Sequence, residues 1–219
     1  MNLSKMEIIA LIVVIFIGLH FYNKHKMENE IFEETTETAT YFGDKPPVIV
    51  AFGDSLTAGT GATEGFSYPA QLSQMLGIDV INAGVPGETT ANALRRLPSV
   101  LQRYKPDIVI LAEGMNDVLM GRKRDKIEEN LVKMVELVKK AGAKPVIVGV
   151  PDMDLIELMI SSDIGLYEDV AKKTGALYIP NVFGPVLKNE DLKNDHVHPN
   201  DRGYKVVAQK IYSYLREMY

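Results

Sequence analysis

Short runs of β-branched and aliphatic residues recur along this chain from Val48 onward. Runs of this length and composition are typical of strands that are buried on both faces of a parallel sheet. Five strands are predicted in this way: Val48–Phe52, Val80–Asn82, Ile108–Ala112, Pro145–Val150 and Ala176–Ile179.

Stretches with helical periodicity separate the predicted strands. The predicted helices are Tyr68–Leu76, Ala91–Tyr104 with a break near Pro98, Lys126–Ala141, Gly165–Thr174 and a last helix that Asn200 caps and that runs to Tyr219. Strands that alternate with helices favour a parallel sheet with helices on both faces. The predicted fold class is therefore α/β, a three-layer α/β/α sandwich around a central five-stranded parallel sheet of the flavodoxin-like type.

The first part of the chain has a different composition. Residues 8–19 are an unbroken apolar run with no polar positions at helical spacing, which favours burial in lipid over packing in a globular core. No small residue stands at the end of this run, so we expect residues 1–26 to be an uncleaved membrane anchor rather than a cleaved signal segment. The Glu- and Thr-rich residues 27–47 are predicted to be an acidic flexible tether, and residues 48–219 are the predicted domain.

Charge and composition exclude several functions. The formal net charge of −5 argues against nucleic acid as a partner. The absence of cysteine excludes a disulfide framework, a thiolate metal site and a cysteine nucleophile. The glycines after the first strand match no nucleotide-binding pattern, so no cofactor is expected. A metal site on Asp195, His196 and His198 would need further carboxylates, so no metal is expected either, and no obligate protein partner is predicted.

Glycine-rich and polar segments follow the first three predicted strands, and another precedes the last helix. In open parallel sheets, ligands bind at the carboxyl ends of the strands, so we expect the chemistry there. The four segments are Gly53–Gly59, Asn82–Thr90, Gly114–Asp117 and Asp195–Pro199. Together they supply a hydroxyl, backbone amides beside glycine, a carboxamide and an imidazole with a nearby carboxylate, which are the groups that acyl transfer requires.

Ser55 is the candidate nucleophile, and a serine hydroxyl needs a base to take its proton. Imidazole suits that role near neutral pH, and His196 and His198 are the histidines that lie beyond the predicted tether. We favour His198 because Pro199 keeps its backbone out of the helical region. Asp195 has a spacing that allows its carboxylate to orient the ring of His198.

Three groups are candidate donors to an oxyanion, namely the backbone amides of Ser55 and Gly87 and the side chain of Asn116. Each segment also has an ordinary interpretation, in which Ser55 and Asn116 cap helices and the histidine segment is a surface loop. The occurrence of all of them at successive strand ends favours a site. The Gly-x-Ser-x-Gly pattern is absent, which disfavours an α/β-hydrolase.

The four segments, in this order, resemble the SGNH hydrolase family, also known as GDSL esterases or lipases. The matching blocks read GDSLTAG at 53–59, NAGVPGETT at 82–90, GMND at 114–117 and DHVHP at 195–199. The chain is most similar to the bacterial arylesterases, acyl-thioesterases and lysophospholipases of that family. Met115 stands where the family often has a second glycine.

The resemblance implies a role for each matching residue. Ser55 would be the nucleophile, His198 the general base and Asp195 the carboxylate that orients it. Gly87 and Asn116 would complete the oxyanion hole with the Ser55 amide. Asp54 would have a supporting role in the first block, the substrate would be a small-molecule or lipid ester, and the domain would be extracytoplasmic.

The sequence leaves the substrate open. Segments 118–124 and 152–164 are expected to rim the cleft, and the second contains many aliphatic and methionine side chains. That composition suggests an acyl-chain groove or a lid, and it equally fits a short amphipathic helix on the core. The predicted function is a serine esterase acting on acyl esters or thioesters. The alternatives are an O-acetylesterase of cell-envelope polysaccharide and a non-catalytic binding module.

Overall fold

The computed structural model describes residues 45–153 and 163–218. The predicted anchor at 1–26, most of the predicted tether and residues 154–162 of the predicted rim lie outside the described residues. Within the described ranges, no helix has the length and the apolar character that a membrane crossing requires.

Five parallel strands form one sheet in the described part of the chain, in the order β2-β1-β3-β4-β5. The strands are β1 Ile49–Gly53, β2 Val80–Gly84, β3 Ile108–Ala112, β4 Lys144–Val148 and β5 Leu177–Ile179. The predicted five-stranded parallel sheet is confirmed. Gly53 pairs with Gly84 of β2 and with Ala112 of β3, so three adjacent strands end at the same level.

Helices connect the strands and cover the sheet. They are α1 Ser55–Ala58, α2 Tyr68–Leu76, α3 Thr90–Tyr104, α4 Met115–Leu119, α5 Arg124–Lys140, α6 Leu166–Thr174, α7 Gly184–Leu187 and α8 Asp201–Arg216, with a 3₁₀ turn at Glu190–Leu192. Helix α2 packs on α8, and α5 packs between α3 and α6. These two groups of helices cover the two faces of the sheet, which gives the predicted three-layer arrangement.

The predicted break at Pro98 is wrong, because α3 continues through it from Thr90 to Tyr104. Pro98 lies on the exposed face of the helix, so water can bind the carbonyl that proline leaves without a partner. The apolar side chains on the opposite face, Ala93, Leu97 and Leu101, are buried on both sides of the proline and hold the helix on the sheet.

A single hydrophobic core lies between the layers. Every residue of β1 and β3 is buried, as expected for central strands with helices on both faces. The largest buried side chains include Phe52, Tyr68 and Tyr204. The compact unit Phe42–Tyr219 contains the whole sheet and this core, so it holds everything that the fold requires.

Gly84 allows the turn after β1 to sit directly against the end of β2. A Cβ at Gly84 would lie 2.1 Å from the backbone nitrogen of Ala58, which is the last residue of α1. Val85 N donates to the Gly53 carbonyl at 2.9 Å and ties the two strand ends together. The position of α1, and hence of Ser55 at its start, depends on this missing side chain.

We expect Gly84→Ala to lower the free energy of unfolding by about 3 kcal/mol, because the new methyl group meets backbone rather than a movable side chain. Chemical denaturation measures the change. Gly165→Ala is the matched control, since Gly165 has an ordinary helical backbone and open space around the added Cβ. A loss at Gly84 no larger than at Gly165 would contradict the close approach.

Candidate active site

Ser55 is the first residue of α1 and lies at the carboxyl end of the central strand β1. The preceding residue, Asp54, caps the helix by accepting a hydrogen bond from Leu56 N at 2.9 Å on its Oδ1. Gly59 ends the helix after one turn with a φ of 94°, a left-handed conformation that glycine adopts readily. The turn therefore has a fixed start and end around the serine.

The loop before α8 brings His198 to Ser55. Nε2 of His198 lies 3.0 Å from the Ser55 Oγ, although the two residues are far apart in sequence. The backbones of Lys193 and Pro199 pair as an isolated antiparallel β-bridge, and Asn194 N donates to the His198 carbonyl at 2.8 Å. The loop therefore folds back on itself. His196 is exposed and makes no hydrogen bond to the serine.

Asp195 contacts the other nitrogen of the same ring. Its Oδ2 lies 2.8 Å from His198 Nδ1, and its Oδ1 accepts the backbone N–H groups of Val197 and His198, both at 2.9 Å. Burial raises the pKa of this carboxyl, but these hydrogen bonds outweigh it and hold the pKa of Asp195 below its usual value. The carboxyl is therefore ionised near neutral pH, as a partner for a ring N–H must be.

Asn116 lies on α4, just after β3, and its amide contacts the segments that follow β1 and β2. Nδ2 donates to the Glu88 carbonyl at 2.9 Å and to Asp54 Oδ2 at 3.2 Å. Gly87, the residue before Glu88, is exposed and has a φ of 76°. Among the described residues, the backbone N–H groups of Ser55 and Gly87 donate no hydrogen bond to the protein. The structure thus brings Asn116 into contact with Asp54 and Glu88, the residues next to Ser55 and Gly87, and both N–H groups of Asn116 already have partners.

Two contacts that the sequence does not reveal hold this arrangement in place. Arg96 of α3 pairs with the buried Glu88 through two of its nitrogens, and its guanidinium lies 4.1 Å from the ring centre of Phe52 in β1. Asp117 accepts Thr90 N at 2.7 Å and the Thr90 hydroxyl at 3.0 Å at the start of α3. The end of the loop after β2, where α3 begins, is therefore attached to α3 itself and to α4.

Glu113 is the least expected residue near the site. It follows β3, is fully buried, and neither of its carboxyl oxygens has a hydrogen-bond partner among the described residues. Burial raises its pKa well above the ordinary value, and the nearby carboxyls of Asp54 and Glu88 raise it further. Burial likewise raises the pKa of Asp54 to about 6. A group of buried acids thus lies below the serine.

We expect Glu113→Gln to stabilise the protein by an amount that grows as pH rises above about 4.5, the ordinary value for this carboxyl. In that range the unfolded chain loses the proton that the folded chain keeps, so stability of the unchanged protein falls with pH. Denaturation at a series of pH values measures the difference. Glu64→Gln, at an exposed glutamate, removes the same charge and serves as the control. A gap that does not change with pH would contradict the buried neutral acid.

The described residues contain no group of histidine, aspartate and glutamate side chains arranged to hold a metal ion. What they contain is a hydrogen-bonded Ser-His-Asp chain at the carboxyl edge of a parallel sheet. Fold and site together define a class, the three-layer α/β/α hydrolases in which the serine follows the first strand.

Within that class, the family model for GDSL-like lipases and acylhydrolases matches residues 51–206, and the chain belongs to this family. It is 31% identical to an arylesterase of Vibrio mimicus over 176 residues, which are 74% of this chain and 84% of that protein. It is 27% identical to thioesterase 1/protease 1/lysophospholipase L1 of Escherichia coli K12 over 172 residues, 73% of this chain and 79% of that one.

A solved structure agrees with this assignment. The psychrotrophic esterase EstA from a Pseudoalteromonas species superposes with a TM-score of 0.70 and 25% identity, over 78% of this chain and 98% of the esterase. The fold is that of the SGNH esterases. The chain is a hydrolase that acts on ester bonds, which the sequence analysis predicted.

Proposed function

We propose that this hydrolase is a serine esterase of carboxylic acyl esters or thioesters, and that it works through an acyl-enzyme on Ser55. The observation that supports this most is the 3.0 Å separation of Ser55 Oγ from His198 Nε2, with Asp195 Oδ2 2.8 Å from the other ring nitrogen. Both distances are hydrogen-bond distances, so a proton can pass from the hydroxyl to the ring without a large movement.

In the proposed first half-reaction, His198 Nε2 takes the hydroxyl proton while Ser55 Oγ attacks the carbonyl carbon of the ester. The Asp195 carboxylate stabilises the positive ring. The tetrahedral intermediate then collapses, the bond to the alcohol or thiol breaks, and His198 returns the proton to that leaving group. Water repeats the same steps on the acyl-enzyme and releases the acid.

The backbone N–H groups of Ser55 and Gly87 and the side chain of Asn116 are the proposed donors to the intermediate's oxygen. Asn116 Nδ2 has two hydrogens, and the bond to Asp54 at 3.2 Å is longer than the bond to Glu88 at 2.9 Å. We infer that the oxyanion draws the hydrogen that points to Asp54, while the Glu88 carbonyl keeps the amide in place. Asp54 is then a supporting residue that orients Asn116 before substrate binds.

We expect Ser55→Ala to reduce kcat for nitrophenyl ester hydrolysis by about 10⁴-fold or more, because no other group supplies the nucleophile. Rates on acetate through decanoate esters measure the effect and also give the chain-length preference. Ser213→Ala, at an exposed serine of α8, is the control. Unchanged turnover in the Ser55 variant would remove the proposal. A strong preference for acetate would favour an O-acetylesterase over an enzyme for longer acyl chains.

Asn116→Ala should lower kcat by about 10²–10³-fold with a much smaller change in KM, because the lost donor acts on the charge of the intermediate. Steady-state kinetics on nitrophenyl acetate separates the two constants. Asn92→Ala, which removes an exposed carboxamide from α3, should leave both near the wild-type values. A variant in which KM rises and kcat is kept would assign Asn116 to substrate binding instead.

A further inference from the structure

The large hydrophobic side chains that stay exposed in the described part of the chain lie on connections that follow β1, β2 and β3. They are Phe66, Val85, Leu119 and Met120, and the last two are 54% and 56% exposed. The strands they follow all end at the same level, at the edge of the sheet that carries Ser55. Leu119 and Met120 are adjacent in the chain, and adjacent exposed apolar side chains are typical of a surface that contacts a protein, a ligand or a membrane.

Leu119 and Met120 are held in place on the helix that carries Asn116. Met120 N donates to the Asn116 carbonyl at 3.0 Å, and Arg122 N donates to the Asp117 carbonyl at 2.8 Å. Gly121 turns the chain with a φ of 63°. Leu119 and Met120 are therefore exposed on a turn whose backbone is held by hydrogen bonds.

Three basic residues follow Leu119 and Met120 in the sequence, after Gly121. Arg122, Lys123 and Arg124 are all exposed, and the whole segment 119–124, here called the basic-apolar turn, carries no acidic residue. Arg124 pairs weakly with Asp152, whose Oδ2 lies 3.9 Å from its Nη2. This positive segment belongs to a chain whose formal net charge is −5.

Local structure does not explain these cations. Lys123 is the N-cap of α5 and Arg124 is its first residue, and the positive end of a helix dipole disfavours cations at those positions. An anionic partner would offset that cost. Apolar tips next to exposed cations are the combination that binds the interface of an anionic bilayer, where the tips enter the lipid and the cations meet the headgroups.

We propose that the basic-apolar turn docks the protein on the surface of an anionic phospholipid bilayer, with Leu119 and Met120 inserted and Arg122 and Lys123 at the headgroups. This docking would place the edge of the sheet that carries Ser55 at the lipid surface. Its consequence for the substrate, an ester of a lipid in that bilayer, rests on the proposed function. The docking itself does not.

The test uses the compact unit from residue 42 to 219, so that the predicted anchor does not contribute, and measures co-sedimentation with vesicles. Vesicles of phosphatidylcholine alone are compared with vesicles that also contain phosphatidylglycerol. We expect binding to the anionic vesicles only, with a loss in salt. Arg122→Gln with Lys123→Gln should weaken it roughly 25-fold, about five-fold for each cation.

The double substitution Leu119→Ser with Met120→Ser should also weaken vesicle binding, which is measured without any substrate. Lys139→Gln with Lys140→Gln removes the same charge from the opposite end of α5 and should bind as the wild type does. Equal binding to both kinds of vesicle, or full binding by either turn variant, would overturn the proposal. Binding to soluble polyglutamate as tight as to anionic vesicles would assign the turn to an acidic protein instead.

Because vesicle binding is read without turnover, it separates the two proposals. A protein that binds anionic vesicles but hydrolyses no ester would contradict the esterase mechanism and support the docking. A protein that hydrolyses esters but does not bind anionic vesicles would contradict the docking and support the esterase mechanism.

Discussion

The common end level of β1, β2 and β3 is the constraint on which the site depends. Gly53, Gly84 and Ala112 pair across these strands, and the next residues of each strand begin the segments that carry Ser55, Gly87 and Asn116. A shift of one residue in either pairing would separate the serine from its proposed donors. Close packing of α1 on Gly84, at the end of β2, also fixes the position of Ser55 relative to the segment that carries Gly87.

Asp54 connects two of the converging segments. One of its oxygens caps the helix that begins at Ser55 and the other accepts the Asn116 amide, so the proposed nucleophile and a proposed oxyanion donor contact the same carboxylate. Burial raises the pKa of Asp54 to about 6, and keeping it ionised above that pH costs about 3 kcal/mol of stability. Buried Glu113 adds a further cost. The cap and the Asn116 contact that Asp54 makes therefore carry a cost in overall stability, which agrees with a site in which geometry has been kept at the expense of stability.

The sequence predicts most of this molecule because its signals are local. Apolar runs predict the strands, and the polar residues after them predict where Ser55 and Asn116 lie. The polar segment before the last helix predicts the position of His198. The predicted break of α3 at Pro98 is wrong, because burial of the opposite face of the helix outweighs the hydrogen bond that proline cannot donate. The pairings of Glu88 with Arg96 and of Asp117 with Thr90 join residues with no pattern between them, and the burial of Glu113 leaves no mark in the sequence. The anchor at 1–26 and its orientation stay predictions.

The central claim is that Ser55 carries the acyl group between the two halves of the reaction. Mass spectrometry of protein quenched during turnover of a nitrophenyl ester tests it most directly. We expect the mass of the acyl group on the peptide that contains Ser55, and no such mass when His198 is replaced by alanine. Steady turnover with the acyl group on another residue, or with no acylated peptide at any time, would contradict the account.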